Sequence, residues 1–208
     1  MSTDTIELVR RADGEFVEAS LYEGMKPEDL VIVEREWGPV RSLLMQELFQ
    51  SGVPRPTWPE SLHWDWGKKG PELKLLESSG FGNVCEKNWQ GVMLTKSASH
   101  FSKAPNDKGK PLVYIDYLEA APWNWKVTGI ARMGDFRGVG SVLFRQAVLQ
   151  SVTEGFHGRV GLHALPQAAQ FYEKGIGMTD FGPDSSKQGL PYFELQSDEA
   201  LRFLDGGE

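Results

Sequence analysis

The sequence predicts an α/β domain in which helices cover a central sheet, and three observations carry that reading. Residues 111 to 195 alternate a strand, a glycine-rich loop, a helix, a strand, a helix and a strand, the order of a layered α/β fold. The stretch "PLVYIDYLEAAPW" sets Val113, Ile115 and Tyr117 against Tyr114 and Asp116, with both sets largely apolar, as in a strand covered on two faces. The 208 residues, 40% hydrophobic and 25% charged, suffice for one sizeable core, so a single domain over 1–208 is expected.

The elements follow in order. "TIELVRRADGEFVEASLYE" holds two β-prone runs around Asp13-Gly14, which supplies the positive backbone angle of a hairpin. From Pro27 an acidic first turn opens a helix in which Leu43, Leu44, Leu48 and Phe49 recur at helical spacing, and Gly38-Pro39 is expected to break or kink it. Four prolines and two glycines in "VPRPTWPESLHWDWGKKGPEL" rule out a long regular element. "WQGVMLTKS" reads as a strand and "HFSKAPNDKGK" as a loop. A helix from Val139 to about Thr153 carries an apolar stripe of Val142, Leu143, Val148, Leu149 and Val152. "GRVGLHAL" is a strand, "PQAAQFYEKGIG" a helix opened by proline and closed by glycine, and "LPYFELQS" a strand. "SDEALRFL" is a short helix with Ser197 as expected N-cap.

Composition excludes several classes. A net charge of −7 offers no basic face to nucleic acid; it suits a small cationic substrate, with solubility as the plain alternative. Cys85 is the only cysteine, which points to a reducing compartment and a buried thiol. His63, His100, His157 and His163 lack ligand spacing, so no metal is expected. The first residues lack a signal-peptide core and no run nears the ~20 apolar residues of a membrane span, so a cytoplasmic protein with no membrane partner is expected.

"DFRGVGSVLFRQAV" places Gly138 and Gly140 immediately before a helix. Unpaired N–H groups and the helix dipole make such an end a seat for a diphosphate, and bare glycines let the ligand approach. The string lacks the Gly-Lys-Ser/Thr of a P-loop, and Leu143 stands where the dinucleotide fingerprint needs its third glycine. A turn that merely uses two glycines is the plain alternative.

The run from the central strand through "RGVGSVLF" to "AAQFYEKGIGM" resembles the GNAT family of N-acetyltransferases over roughly residues 85 to 195. The resemblance implies an acyl-CoA N-acyltransferase-like fold with a mixed, mostly antiparallel central sheet, residues 1–80 supplying the substrate side. It implies acetyl-coenzyme A as cofactor, bound by Leu118, Arg137, Gly138, Val139, Gly140 and Ser141. In the family the strand before the loop splays from its neighbour and carries an acid that serves as base. Glu119 matches that place, with Asp116 on the opposite strand face or water as rivals. Tyr172 matches the tyrosine that protonates the leaving thiolate, a role a phenol can fill because it holds its proton at neutral pH. Three features depart from the family pattern: Asp135 where Gln or Arg is usual, Leu165 where many members have Asn, and a long connection "AAPWNWKVTGIARMG".

For the acceptor, Trp64 and Trp66 flank Asp65, and Trp123 and Asn124 follow Glu119, a grouping that suits a cationic amine through ring quadrupole and charge. Packing is the competing role for each tryptophan. The expected activity is direct acetyl transfer from acetyl-coenzyme A to a primary amine. A non-catalytic acyl-coenzyme A sensor is the alternative, an aminoacyl-tRNA substrate is disfavoured by the acidic balance, and homodimerisation is left open.

Overall fold

The structure, a computed structural model, describes residues 2–97, 99–127 and 134–206. The centre of the long connection between Glu119 and the glycine loop, residues 128–133, lies outside the described residues. The chain divides into two compact units, Met1–Met93 with Leu118–Leu143, and Leu94–Tyr117 with Phe144–Glu208.

In the first unit β1 (Ser2–Arg10) and β2 (Phe16–Glu23) form the expected hairpin, in register from Ser2 opposite Glu23 to Val9 opposite Phe16. Gly14 turns the chain at φ +79°. α1 (Pro27–Gln50) then runs unbroken through Pro39, which corrects the expected break. Its buried residues Leu30, Val33, Trp37, Arg41, Leu44 and Leu48 keep helical spacing across the proline. Proline inside a helix costs about 3 kcal/mol, and burying the large side chains on both sides of it outweighs that. Leu43 and Phe49, expected on the apolar face, are exposed instead.

Residues 55–74 form short 3₁₀ turns at Arg55–Thr57, Glu60–His63 and Gly67–Lys74, as the prolines require. β3 (Ser78–Cys85) was not expected. Its glycines lower strand propensity, yet a Cβ on Gly82 would lie 2.6 Å from the Trp89 ring and one on Gly80 would lie 2.9 Å from Leu73, so close packing demands them. β4 (Asn88–Lys96), β5 (Val113–Ala120), β6 (Phe136–Arg137) and α2 (Val139–Thr153) follow. The strand order within this unit is β6-β1-β2-β3-β4. Leu8, Ala19, Cys85, Phe136 and Val139 pack as one cluster beneath the start of α2. The free thiol of Cys85 is buried. Along α2 the expected stripe is partly displaced: Leu143 and Val148 are buried with Phe144 and Ala147, while Leu149 and Val152 face solvent.

In the second unit the order is β5, then β7 (Val160–His163), β9 (Leu190–Leu195) and β8 (Thr179–Asp184). β5 and β7 pair in parallel, β7 with β9 and β8 with β9 antiparallel. β8, an edge strand interrupted by Gly182 and Pro183, is likewise missing from the sequence expectation. The expected helix at 166–177 is a 3₁₀ turn, Pro166–Ala168, followed by a π turn, Phe171–Ile176. Glu194 is buried and fixes the 102–104 loop by accepting from Ser102 Oγ at 2.6 Å and from the N–H groups of Lys103 and Ala104 at 2.6 and 3.1 Å. α3 (Ser197–Leu204) is capped by Gln196 rather than Ser197, because the Ser197 hydroxyl donates to Asp107 at 3.0 Å. Among the described residues no helix is long and apolar enough to cross a membrane.

Candidate active site

The parallel pairing of β5 with β7 covers only Val113 to Ile115. β7 ends at His163, whereas β5 continues to Ala120, so residues 116–120 of β5 lie beyond this pairing. Those residues carry both candidate bases. Asp116 is half-buried in an ion pair with Lys96 at 2.8 Å. Glu119, three residues on, is buried in the first unit with 4% exposure.

The surroundings of Glu119 are drawn from α1 and the 55–74 segment. Trp66 Nε1–H donates to Oε2 at 2.5 Å, and Arg41 Nη1 lies 3.4 Å from the same oxygen. The other arm of Arg41 holds Glu34, which also accepts from the Trp66 backbone N–H at 2.9 Å. Oε1 of Glu119 is buried with no hydrogen-bond partner among the described residues. Burial pushes the Glu119 carboxyl up to about 7, against the opposing pull of the Ser61 hydroxyl, the Trp66 indole, Arg41 and Lys69.

Sequence reading missed Arg41, Glu34, Ser61 and Lys69. A signal for the first two was present: Arg41 interrupts an otherwise apolar helical stripe, and Glu34 lies two turns earlier on the same face. A buried cation of this kind needs a carboxylate partner.

The glycine loop belongs to the same unit. Gly138 has φ +88°, and a Cβ there would meet only Leu8 Cδ2 at 3.8 Å, so the space above it is open. Helical bonding begins with Val142 N–H donating to Gly138 at 2.9 Å, leaving the N–H groups of Val139, Gly140 and Ser141 without intrahelical acceptors. Arg137 and Asp135 are exposed beside them. The helix start is seated by Gly91 on β4, where a Cβ would lie 2.5 Å from Val139 and 2.9 Å from Leu143. Asn124 fixes the entry to the loop: its Oδ1 accepts from Phe136 N–H at 2.9 Å and its amide donates to Gln90 at 3.0 Å.

The predicted acceptor residues separate into two groups. Trp64 and Trp66 stand at 81° with centroids 6.3 Å apart, and Lys69 Nζ lies 4.8 Å from the first ring and 5.8 Å from the second. Asp65 is paired with its own neighbour Lys68 at 2.9 Å, which holds its carboxyl below the ordinary range. Trp123 donates to Gln90 at 2.8 Å and lines a pocket of about 380 Å³ that also includes Glu36, Glu86 and Asp135.

In the second unit Tyr172 is buried among the rings of Phe144, Phe171 and Phe193. Its carbonyl accepts from both Gly177 and Met178, closing the π turn. Burial raises its phenol well above the ordinary value, so it keeps its proton. Leu118, half-buried, precedes Glu119 on β5. No group of His, Cys, Asp and Glu among the described residues is arranged to hold a metal ion.

The chain matches no protein-family model and no curated protein. Among solved structures it is similar to a GNAT-family protein of Desulfovibrio desulfuricans, at 11% identity and TM-score 0.53, over 86% of this chain and 99% of that one. It is also similar to a GCN5-related N-acetyltransferase of Ralstonia eutropha, at 15% identity and TM-score 0.46, over 77% and 92% of the two chains. An N-acetyltransferase of Bacillus subtilis in complex with coenzyme A matches at 16% identity and TM-score 0.42, over 57% and 68%. By the first of these likenesses the chain has the mixed, mostly antiparallel α/β fold of the GNAT acetyltransferases.

Proposed function

We propose that this chain is an N-acetyltransferase that moves acetyl from acetyl-coenzyme A to a small cationic primary amine by direct transfer in a ternary complex. The observation that carries the reading is Glu119 Oε1, a buried carboxylate oxygen with no hydrogen-bond partner on a group that titrates at about 7. An ammonium must lose a proton before its nitrogen can attack, and a base poised near neutrality with a vacant lone pair is suited to take it, directly or through water. Arg41 and Trp66 hold Oε2 and so orient the carboxyl.

Acetyl-coenzyme A supplies the acyl group as a thioester. The open space over Gly138 and the N–H groups of Val139, Gly140 and Ser141 fit its diphosphate, with Arg137 adding positive charge. Leu118 is assigned to the cofactor side with them. Tyr172 retains its proton at working pH and delivers it to the departing sulfur. The three carboxylates in the Trp123 pocket favour a cationic acceptor. Incubating the protein with acetyl-coenzyme A and a panel of polyamines, amino sugars and amino acids tests the reading, with amine-dependent release of free coenzyme A thiol as the expected result. Coenzyme A binding without release across the panel, unaltered by Tyr172→Phe, favours the sensor instead.

A further inference from the structure

The two indoles of Trp64 and Trp66 form a corner, nearly perpendicular and 6.3 Å apart. An ammonium already stands in it: Lys69 Nζ, at 4.8 and 5.8 Å from the ring centroids. The lysine is delivered there by the 3₁₀ turn Gly67–Lys74, whose first bonds include Lys69 N–H to the Trp66 carbonyl at 3.0 Å. Behind the corner, Trp66 donates to Glu119. The charge of Lys69 also pulls down on the Glu119 carboxyl, so ammonium and carboxylate share one field. Aromatic faces set at an angle around an alkylammonium, with a carboxylate nearby, are the arrangement by which proteins bind such cations. The neighbouring Lys68 pairs with Asp65 at 2.9 Å.

We propose that Lys69 is a tethered occupant of the acceptor's ammonium site, and that the substrate is a primary alkylammonium that displaces Lys69 Nζ from the Trp64–Trp66 corner. The inference rests on the acetyltransferase reading for the word acceptor, but the cation site itself stands on the two indoles and Lys69.

Lys69→Ala empties the corner, and n-butylammonium, the free equivalent of a lysine side chain, refills it. Titrations of wild type and variant are followed through the indole N–H resonances of Trp64 and Trp66, with n-butanol as the neutral control. The variant binds n-butylammonium about tenfold more tightly than wild type, the size of one partly desolvated cation–π contact, and n-butanol produces no saturable shift. Equal responses in the two proteins, or equal responses to the alcohol and the cation, overturn the proposal. Should Lys69→Ala fold poorly, Lys69→Ser gives the same vacancy with a polar side chain. Coenzyme A titration by calorimetry on the same samples separates the two ideas. Loss of coenzyme A binding with butylammonium binding intact defeats the acetyltransferase reading alone. Coenzyme A binding without any difference between variant and wild type defeats the tethered lysine alone.

Discussion

Trp66 donates its indole N–H to Glu119 Oε2 at 2.5 Å and its backbone N–H to Glu34 at 2.9 Å, so one residue of the irregular segment closes over both carboxylates of Arg41. Trp66→Phe keeps the ring and removes the indole donor. A hydrogen bond to a charged group is worth about 1.5–3 kcal/mol, or roughly one to two pH units in the carboxyl. The acidic limb of the pH–rate profile should therefore move upward in Trp66→Phe. An unmoved limb would show that a group other than Glu119 controls it.

Glu119→Gln should abolish that limb, which in wild type is expected to rise through about pH 7 as the carboxyl ionises. Stability should follow the opposite sense. Because the folded carboxyl holds its proton more tightly than an ordinary glutamate at about 4.5, its contribution is fully present below about 4.5 and is lost as pH rises through about 7. The melting temperature of Glu119→Gln should gain on wild type between pH 4.5 and 7 and keep a constant gap above that. Parallel thermal melts across this range check the sign.

Arg41→Met leaves Glu34 and Glu119 without their shared cation. Breaking a buried pair from one side costs about 3–5 kcal/mol, and the loss should be greater at pH 8 than at pH 6, where Glu119 carries its proton. Urea unfolding at the two pH values measures it. Adding Glu119→Gln to Arg41→Met should recover part of the stability, most clearly at pH 8.

Gly138→Glu should eliminate coenzyme A binding in calorimetry, since it fills the open cradle with like charge. Gly91→Ala acts from below: its Cβ would meet Val139 at 2.5 Å and Leu143 at 2.9 Å, so α2 must shift. Overpacking of this order costs about 1–3 kcal/mol, and coenzyme A affinity should weaken along with the melting temperature although residue 91 is not in the loop. Retention of full affinity in both variants would remove the loop from the binding site.

Tyr172→Phe should lower kcat by about a hundredfold or more, the scale of general acid catalysis, and leave coenzyme A affinity unchanged. The hydroxyl has no hydrogen-bond partner among the described residues, so stability should change little. A stable variant with full kcat would assign the proton to another donor.

What the sequence disclosed was local. The Asp13-Gly14 hairpin and both ends of α2 are written in neighbouring residues, and they fold as read. β3 and β8 were hidden because glycine and proline mark turns in a single chain, and only tertiary packing reveals that Trp89 needs Gly82 beneath it. The Glu119 cluster divides in the same manner. Its carboxylate was picked out because its place at the end of a strand matches the acid of the GNAT pattern, whereas its partner Arg41 lies 78 residues away, beyond the reach of any periodicity.

Gly38, within α1, shows how far such packing can constrain a choice of residue. A Cβ there would stand 2.7 Å from Oε1 of Glu34, the carboxylate that holds Arg41. Positions 34 and 38 therefore form one coupled choice in sequence space. A related chain that keeps the acid at 34 should keep glycine at 38. A chain that has lost the acid is free to take alanine there, with a gain in helix propensity of about 1 kcal/mol, and a compiled set of homologues would display that as covariation between two sites one helical turn apart.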